Sequence, residues 1–572
     1  MLKKEIRHLY TKEGEALTGR EYDLYYPRPQ LKRDSFLSLN GQWLLSYGKE
    51  EKIKINVPYP PESILSGVFK NMGKDPHLTY TRSFTLPKGF VRDRVILHFG
   101  AVDQVCTVFV NGDYVGKHVG GYNSFSFDIT KYLKNGEDGC EGLENTLTVN
   151  VRDYLSNKVL PYGKQTYKRG GMWYTPVSGI WQSVWLESVA DEYIKSIKIE
   201  VKDKSAKIFF LGITDGQLKL LTPEGEKEFP IENGISSFTL ENPRFWSPDN
   251  PYLYHFTAET KCDRVESYLA FRTLEIKEIN GIPRLCLNGE PYFFHAVLDQ
   301  GYFSDGIFTP ATPELYKQDI LKMKELGFNT LRKHIKVEPE EFYYQCDRLG
   351  MIVFQDFVNN GSYSFIRDTA LPTVLTKKFP QSLMMRTPQQ KEGFIDGLKK
   401  TVKQLYNHPC VCYWTIFNEG WGQFDSDKMY DFLKELDSSR FVDSTSGWFK
   451  GKKSDVESLH IYFKPVTIEK SDKPIVLSEF GGYSYKIEKH SANLKKTYGY
   501  KLFSQGDEFV EGLKKLYLEE IVPLIPSGLC GAVYTQLSDV EDETNGLLTY
   551  DRRECKVDKE TMLEIASQLK II

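Results

Sequence analysis

Beyond about residue 277 the chain settles into one rhythm, a short apolar run followed by an amphipathic stretch. The runs are "YFFHAVLD", "FNTLRKHI", "MIVFQDFV", "CVCYWTIFNE", "FVDSTSG", "LHIYF", "PIVLSEF" and "LCGAVYTQLSD", eight in all. Runs that are apolar without strict alternation suit strands buried on both faces. After the first, Leu315, Ile320, Leu321, Met323 and Leu326 form a stripe at helical spacing, with Thr312 where an N-cap belongs. Further helices are expected in "PEEFYYQCDRLG" and near 389–406, 426–437 and 505–522. Strands joined through helices lie parallel, and eight of them close most simply into a (β/α)8 TIM barrel over 277–572.

The upstream pattern has a period of two. In "VILHFGAVDQVCTVFVNGDYVGKHV", Asn111-Gly112 between alternating hydrophobics is a hairpin signal. With "TLTVNVRDY" and "QSVWLESV" it predicts a jelly-roll-like β-sandwich within 1–187. From 188 to 276, runs such as "AKIFFLGIT", "QLKLLTP" and "LYHFTAET" predict an immunoglobulin-like β-sandwich. A chain of 572 residues needs several cores in any case.

A formal net charge of −3 gives no electrostatic footing for nucleic acid, and no apolar run is long enough to cross a bilayer. Neither partner is expected. The N-terminal stretch lacks the apolar core of a signal peptide, and the nine cysteines are scattered, so a cytoplasmic location is expected. Cys410 and Cys412 are separated by one residue of an apolar run, and no Cys or His group has zinc spacing. No metal or other cofactor is expected.

Barrels of this kind carry their active sites at the C-terminal ends of the strands. In strand order the sequence offers Asp299 and Gln300, then His334, Asp356, Asn418 with Glu419, Trp448, His460 with Tyr462, Glu479, and finally Gln536, Asp539 and Glu541. Glu419 and Glu479 stand out because each ends a buried run, where desolvation makes a carboxylate costly. Strands four and seven face one another across a barrel mouth. Carboxylates about 5–5.5 Å apart would make a retaining glycosidase, and about 6.5–9.5 Å an inverting one. As purely structural residues, the two glutamates would instead pair with an arginine such as Arg332.

The chain resembles glycoside hydrolase family 2, the group of β-galactosidases, β-glucuronidases and β-mannosidases, over nearly its whole length. "YPRPQLKRDSFLSLNGQW", "GGYNSFSFDIT" and "SGIWQSVWLE" resemble the family's N-terminal sugar-binding sandwich, and "WSPDNPYLY" its immunoglobulin-like domain. "FNEGWG", "LSEFGG" and "YTQLSDVEDETNGLLTYDRR" resemble the barrel motifs. The resemblance implies an exo-acting retaining β-glycosidase with Glu419 as acid/base and Glu479 as nucleophile. It implies that Asn418 binds the sugar 2-OH, that Tyr462 steadies the nucleophile and that His334 contacts sugar hydroxyls. Asp299 and Trp448 join the substrate-binding set by position. Pairing through the β domains, as a homo-oligomer, is implied as well. A second reading is a non-catalytic carbohydrate-binding protein that keeps the fold, suggested by the two β domains and 14% aromatic residues.

The glycone is less constrained. Family β-glucuronidases carry Asn-x-Lys after strand eight, whereas Asn545 here is followed by Gly546 and Leu547, leaving Arg552 or Lys333 as substitute cations. The large β-galactosidases continue past the barrel and use metal ions, and their "HEH" is replaced by "VLDQGY". A neutral β-glycoside, galactoside first, is the expectation, with β-glucuronide, β-mannoside and α-L-arabinopyranoside as alternatives. The loops 358–388 and 481–504 are expected to shape the aglycone side.

Overall fold

A computed structural model describes residues 6–17, 21–48, 52–136, 139–364, 366–370 and 386–571; part of the 358–388 loop therefore lies outside the described residues. Two β-sandwiches precede a barrel. In the first, a six-stranded antiparallel sheet packs on a four-stranded one. Alternating side chains from both sheets, among them Trp43, Tyr80, Leu97, Phe99, Val108 and Val149, fill the space between. Asn111 and Gly112 have φ of 52° and 93°, the left-handed pair that the tight turn between strands 105–110 and 113–119 requires. The second sandwich sets a three-stranded sheet against a four-stranded one around Ile208, Phe210, Leu218, Leu220 and Phe256.

The barrel strands are β1 Phe294–Asp299, β2 Thr330–Lys333, β3 Ile352–Asp356, β4 Val411–Asn418, β5 Phe441–Ser446, β6 Glu457–Ile461, β7 Ile475–Gly481 and β8 Leu529–Thr535. They pair in the order β5-β4-β3-β2-β1-β8-β7-β6, and every pairing is parallel. The ring closes between β5 and β6, where Asp455 N–H donates to Val442 C=O at 2.9 Å and Ser446 Oγ lies 3.3 Å from Ser458 Oγ. Helices α1 Glu314–Glu325, α2 Glu340–Leu349, α3 Pro388–Leu405, α4 Ser426–Leu436 and α5 Gly506–Lys515 lie between the strands.

Thr312 does not cap α1. Pro313 immediately precedes the helix, and the Thr312 hydroxyl is buried without a partner; only its carbonyl joins the helix start, accepting from Leu315 N–H. A proline at that position already fixes the entry φ, so the hydroxyl cap is dispensable. The barrel interior is divided by chemistry. Phe294, Phe354, Tyr413 and Phe441 pack against one another in the N-terminal part, with Phe354 stacked on Tyr413 at 4.2 Å. Charged side chains fill the C-terminal part, so the barrel is a plugged cup with one polar mouth.

Candidate active site

Arg332, near the end of β2, organises the mouth. Its Nε donates to Asp356 Oδ1 at 3.0 Å, Nη1 to Glu479 Oε1 at 3.0 Å and to Ser478 C=O at 2.9 Å, and Nη2 to Asn418 Oδ1 at 2.8 Å. One planar fork thus ties together β3, β4 and β7. It also fixes which end of the Asn418 amide faces away from Arg332, namely the Nδ2 donor. His334, two residues along the same face, shares Asp356 through Nδ1 at 2.8 Å. Burial lowers the His334 pKa despite that carboxylate, so the ring is neutral near pH 7.

Glu479 sits between two stabilising groups. Opposite Arg332, the Tyr462 hydroxyl donates to Oε2 at 2.5 Å, and its ring stacks on Tyr500 with centroids 3.8 Å apart. Burial resists ionisation of Glu479, but His460, Arg332, His334 and the Tyr462 hydroxyl outweigh it and pull its pKa down to about 2. This carboxylate is ionised at any working pH.

Glu419 is held differently. It follows β4 with φ of 52°, a left-handed conformation costly for a residue with a Cβ. Its N–H is secured by Ser446 C=O at 2.9 Å, and its Oε1 lies 3.0 Å from His460 Nδ1. His460 Nε2 in turn lies 2.9 Å from Ser446 Oγ, which locks the ring. A bulge between Leu459 and His460 aims that histidine at the site. Gly422 is needed where the loop turns, since a Cβ there would come within 2.5 Å of Asn360 C=O. Ligand atoms of Glu419, His460 and Glu479 all lie within 4.8 Å of one another. The set is compact enough for a divalent cation, which would occupy both carboxylates at once.

The structure gathers Glu419, Glu479, Asn418, His334 and Tyr462 into this one network. Trp448 reaches it through the edge of the His460 ring, centroids 5.6 Å apart, and its indole N–H donates to Asp368 C=O. Asp299 is engaged elsewhere: Oδ2 takes Lys333 Nζ at 2.5 Å and Oδ1 takes Gly301 N–H at 2.8 Å. Among the described residues Arg332 does pair with a glutamate, Glu479, and not with Glu419.

The sequence offers Asp356 and His460 as strand-end candidates and Arg332 as a possible partner of a glutamate, and Arg332-x-His334 spacing puts those two on one face. It does not offer their partners, since nothing local links Arg332 to Asp356 or His460 to Glu419. One contributor escapes a reading of the sequence altogether, the 162–175 segment of the first sandwich. Arg169 Nη1 meets Glu541 at 3.3 Å and Asp542 at 3.0 Å, Tyr174 OH donates to Glu543 at 2.6 Å, and Thr175 N–H to Glu541 at 2.9 Å. The three consecutive acids after β8 thereby clamp the sandwich to the barrel mouth. Trp173 of this segment packs edge-on against Trp421, centroids 5.0 Å apart, and on Tyr363.

Family models agree along the chain. "Glycosyl hydrolases family 2, sugar binding domain" matches residues 22–189, "Glycosyl hydrolases family 2" matches 186–272, and "Glycosyl hydrolases family 2, TIM barrel domain" matches 285–498. A beta-galactosidase of Thermoanaerobacter pseudethanolicus is 25% identical over 426 residues, 70% of this chain and 53% of that one. A putative beta-glucuronidase of Formosa agariphila is 24% identical over 458 residues, 69% of this chain and 49% of that one. The chain spans about half the length of such curated relatives. Among solved structures, a beta-D-glucuronidase of Dictyoglomus thermophilum superimposes with a TM-score of 0.73 at 18% identity, covering 95% of this chain and 98% of that one. A GH2 beta-galacturonidase of Eisenbergiella tayi does so with a TM-score of 0.66 at 19% identity, covering 95% and 98%. At such identities the superpositions speak for the fold.

Proposed function

The chain belongs to glycoside hydrolase family 2, and on that premise we propose that it is a retaining exo-β-glycosidase working by double displacement. The observation that carries this reading is the approach of a Glu419 oxygen to within 4.8 Å of a Glu479 oxygen. That leaves room for an anomeric carbon but not for the intervening water that inversion needs. Glu479, ionised and aligned by Arg332 and Tyr462, attacks the anomeric carbon. Glu419, oriented by His460, gives its proton to the leaving oxygen. The aglycone departs, a glycosyl ester forms on Glu479, and Glu419 then takes a proton from the water that cleaves it. Asn418 Nδ2 donates to the sugar 2-OH as charge builds on the ring, and the neutral His334 offers Nε2 to another hydroxyl.

The names of the relatives, beta-galactosidases and putative beta-glucuronidases, support a β-linked hexopyranoside as the substrate class. The test is a panel of aryl β-glycosides, with proton NMR of the first product formed. A β-configured first product is expected. An α-configured one would refute retention, and sugar binding without turnover on any glycoside would favour a carbohydrate-binding protein instead.

A further inference from the structure

Among the described residues Phe463 is the only phenylalanine or tryptophan that is exposed, at 75%. It follows Tyr462 just after β6, and its ring meets Tyr500 edge-on, centroids 5.0 Å apart. Tyr500 in turn stacks on Tyr462, whose hydroxyl holds Glu479. The backbone builds this stair of rings. Tyr500 N–H donates to Gly482 C=O at 2.9 Å, and a Cβ on Gly482 would collide with the Tyr500 ring, so the last glycine of "LSEFGG" is what lets the ring lie there. Two more exposed apolar side chains sit within two residues of contacts made by the site. Leu502 follows Tyr500, and Ile366 precedes Asp368, whose C=O accepts from Trp448. A ring left in water beside a catalytic carboxylate forgoes the gain of burial, which a ligand restores.

Which part of the substrate meets this rim follows from the chemistry proposed above. His334 and Asn418, the groups assigned to sugar hydroxyls, gather around Arg332 and Asp356. Glu419 bonds instead to His460 on β6, and Trp448 after β5 packs against the same imidazole. The Glu419 proton goes to the leaving oxygen, so the aglycone lies over β5 and β6, beside the loop that carries Phe463. The polar ends of the neighbouring aromatics are already engaged, the Trp448 indole N–H with Asp368 C=O and the Tyr462 hydroxyl with Glu479. A sugar in this position needs hydrogen bonds as well as a face to stack on, whereas Phe463, Leu502 and Ile366 offer apolar surface alone.

We propose that Phe463 is a specificity-determining residue of the aglycone subsite, and that this subsite takes a flat, apolar aryl group and not a second sugar. This rests on the glycosidase reading above and adds the nature of the leaving group to it. Offset-stacked or edge-to-face contact with Phe463 continues the series Tyr462, Tyr500, Phe463 and holds the aryl plane while its oxygen faces Glu419. Phe463 touches neither the glycone nor the reacting bond, so it acts on binding of the aglycone and not on which sugar is cleaved.

The experiment assays the full chain, Phe463→Ala and Phe463→Trp on the phenyl and 2-naphthyl β-glycosides of the sugar that the aryl panel shows to be cleaved. Phe463 is exposed, so neither substitution removes core packing. Phenol and 2-naphthol leave with similar ease, so the ratio of their kcat/KM values reads the fit of the second ring. We expect the parent to favour the naphthyl glycoside by at least ~10-fold, Phe463→Ala to cut that ratio at least ~5-fold through KM, and Phe463→Trp to keep it. A second arm reads the subsite without leaving-group chemistry: 2-phenylethanol should intercept the glycosyl-enzyme at least ~10-fold more efficiently than glucose does. A ratio unchanged in Phe463→Ala, or glucose as the better acceptor, overturns the proposal. A Phe463→Ala variant that changes only its oligomeric state does so too, and marks the ring as a contact between copies. If the parent turns over no glycoside, the glycosidase reading fails separately. The subsite is then judged by calorimetry with the 2-naphthyl and methyl 1-thio-β-galactosides and 1-thio-β-glucuronides. The naphthyl compound of one sugar should bind more tightly than its methyl counterpart, with the gain lost in Phe463→Ala. No such gain, or one that survives in Phe463→Ala, overturns the Phe463 assignment on its own.

Discussion

Arg332 Nη1 lies 3.0 Å from Glu479 Oε1, while no described arginine or lysine pairs with Glu419, whose only ion-pair partner there is His460. Two carboxylates sharing one pocket thus have different neighbours. A fixed cation and a phenol stabilise an anion on one side. A histidine, His460, attends the other, its Nδ1 3.0 Å from Glu419 Oε1.

Replacing each glutamate should separate the two roles. Glu479→Gln should lose turnover by about 10⁴-fold or more while still binding sugar. In Glu479→Ala, added azide should give an α-glycosyl azide; in Glu419→Ala, with an activated aryl glycoside, it should give the β-azide. Identifying the azide anomers by NMR checks both assignments, and swapped anomers would reverse them.

Arg332→Leu removes the cation that, with His460, overcomes burial at Glu479. The Glu479 pKa should rise, so the acid limb of kcat/KM against pH moves to higher pH and kcat falls about 10²–10³-fold. The sign for stability follows from the same shift. A carboxylate at about 2 in the fold, against an ordinary 4.5, contributes stability above about pH 4.5 and loses it as pH falls towards 2. The melting-temperature difference between parent and Glu479→Gln should therefore be largest near neutrality and shrink over that window.

His460→Gln leaves Glu419 without its orienting imidazole. Acid assistance matters most when the leaving group is a poor one. The variant should lose about tenfold to a hundredfold on a methyl or alkyl β-glycoside, and much less on a dinitrophenyl glycoside. Equal losses on both would show that His460 acts on the fold and not on proton transfer.

Arg169→Met leaves Glu541 and Asp542 buried without their shared cation. Destabilisation of about 3–5 kcal/mol is expected in denaturant melts. Because this segment also carries Trp173, activity should fall before the barrel itself unfolds, as followed by circular dichroism against turnover.

Divalent zinc should inhibit by bridging Glu419, His460 and Glu479, whose ligand atoms already lie within 4.8 Å of one another. Inhibition at micromolar metal, relieved by a chelator and weakened in His460→Gln, is the expected pattern in steady-state rates.

Local patterns made the architecture readable. The barrel strands were visible as apolar runs because a strand covered on both faces has no polar side to show, and Asn111-Gly112 marked its hairpin because few residues tolerate that turn. Glu419 and Glu479 were legible for the opposite reason, as charges where burial makes a charge expensive. Thr312 shows the limit of such rules, since a proline beside it had already done the work of a cap. Asp299 shows another: a strand-end position says that a carboxylate is near the mouth, not that Lys333 and Gly301 already hold both its oxygens.

The sequence by itself determined the order of the domains, the eight-strand rhythm and the two glutamates, because each of these is written in neighbouring residues or in periodicity. Only the tertiary structure decided that Arg332 clasps Glu479 and not Glu419, and that His460 turns to Glu419. It alone brought Arg169 from the first sandwich to the acids that follow the eighth strand. Those facts depend on distances between strands and domains far apart in the chain, fixed by how the sheets pack and where a bulge falls, and no local pattern carries them.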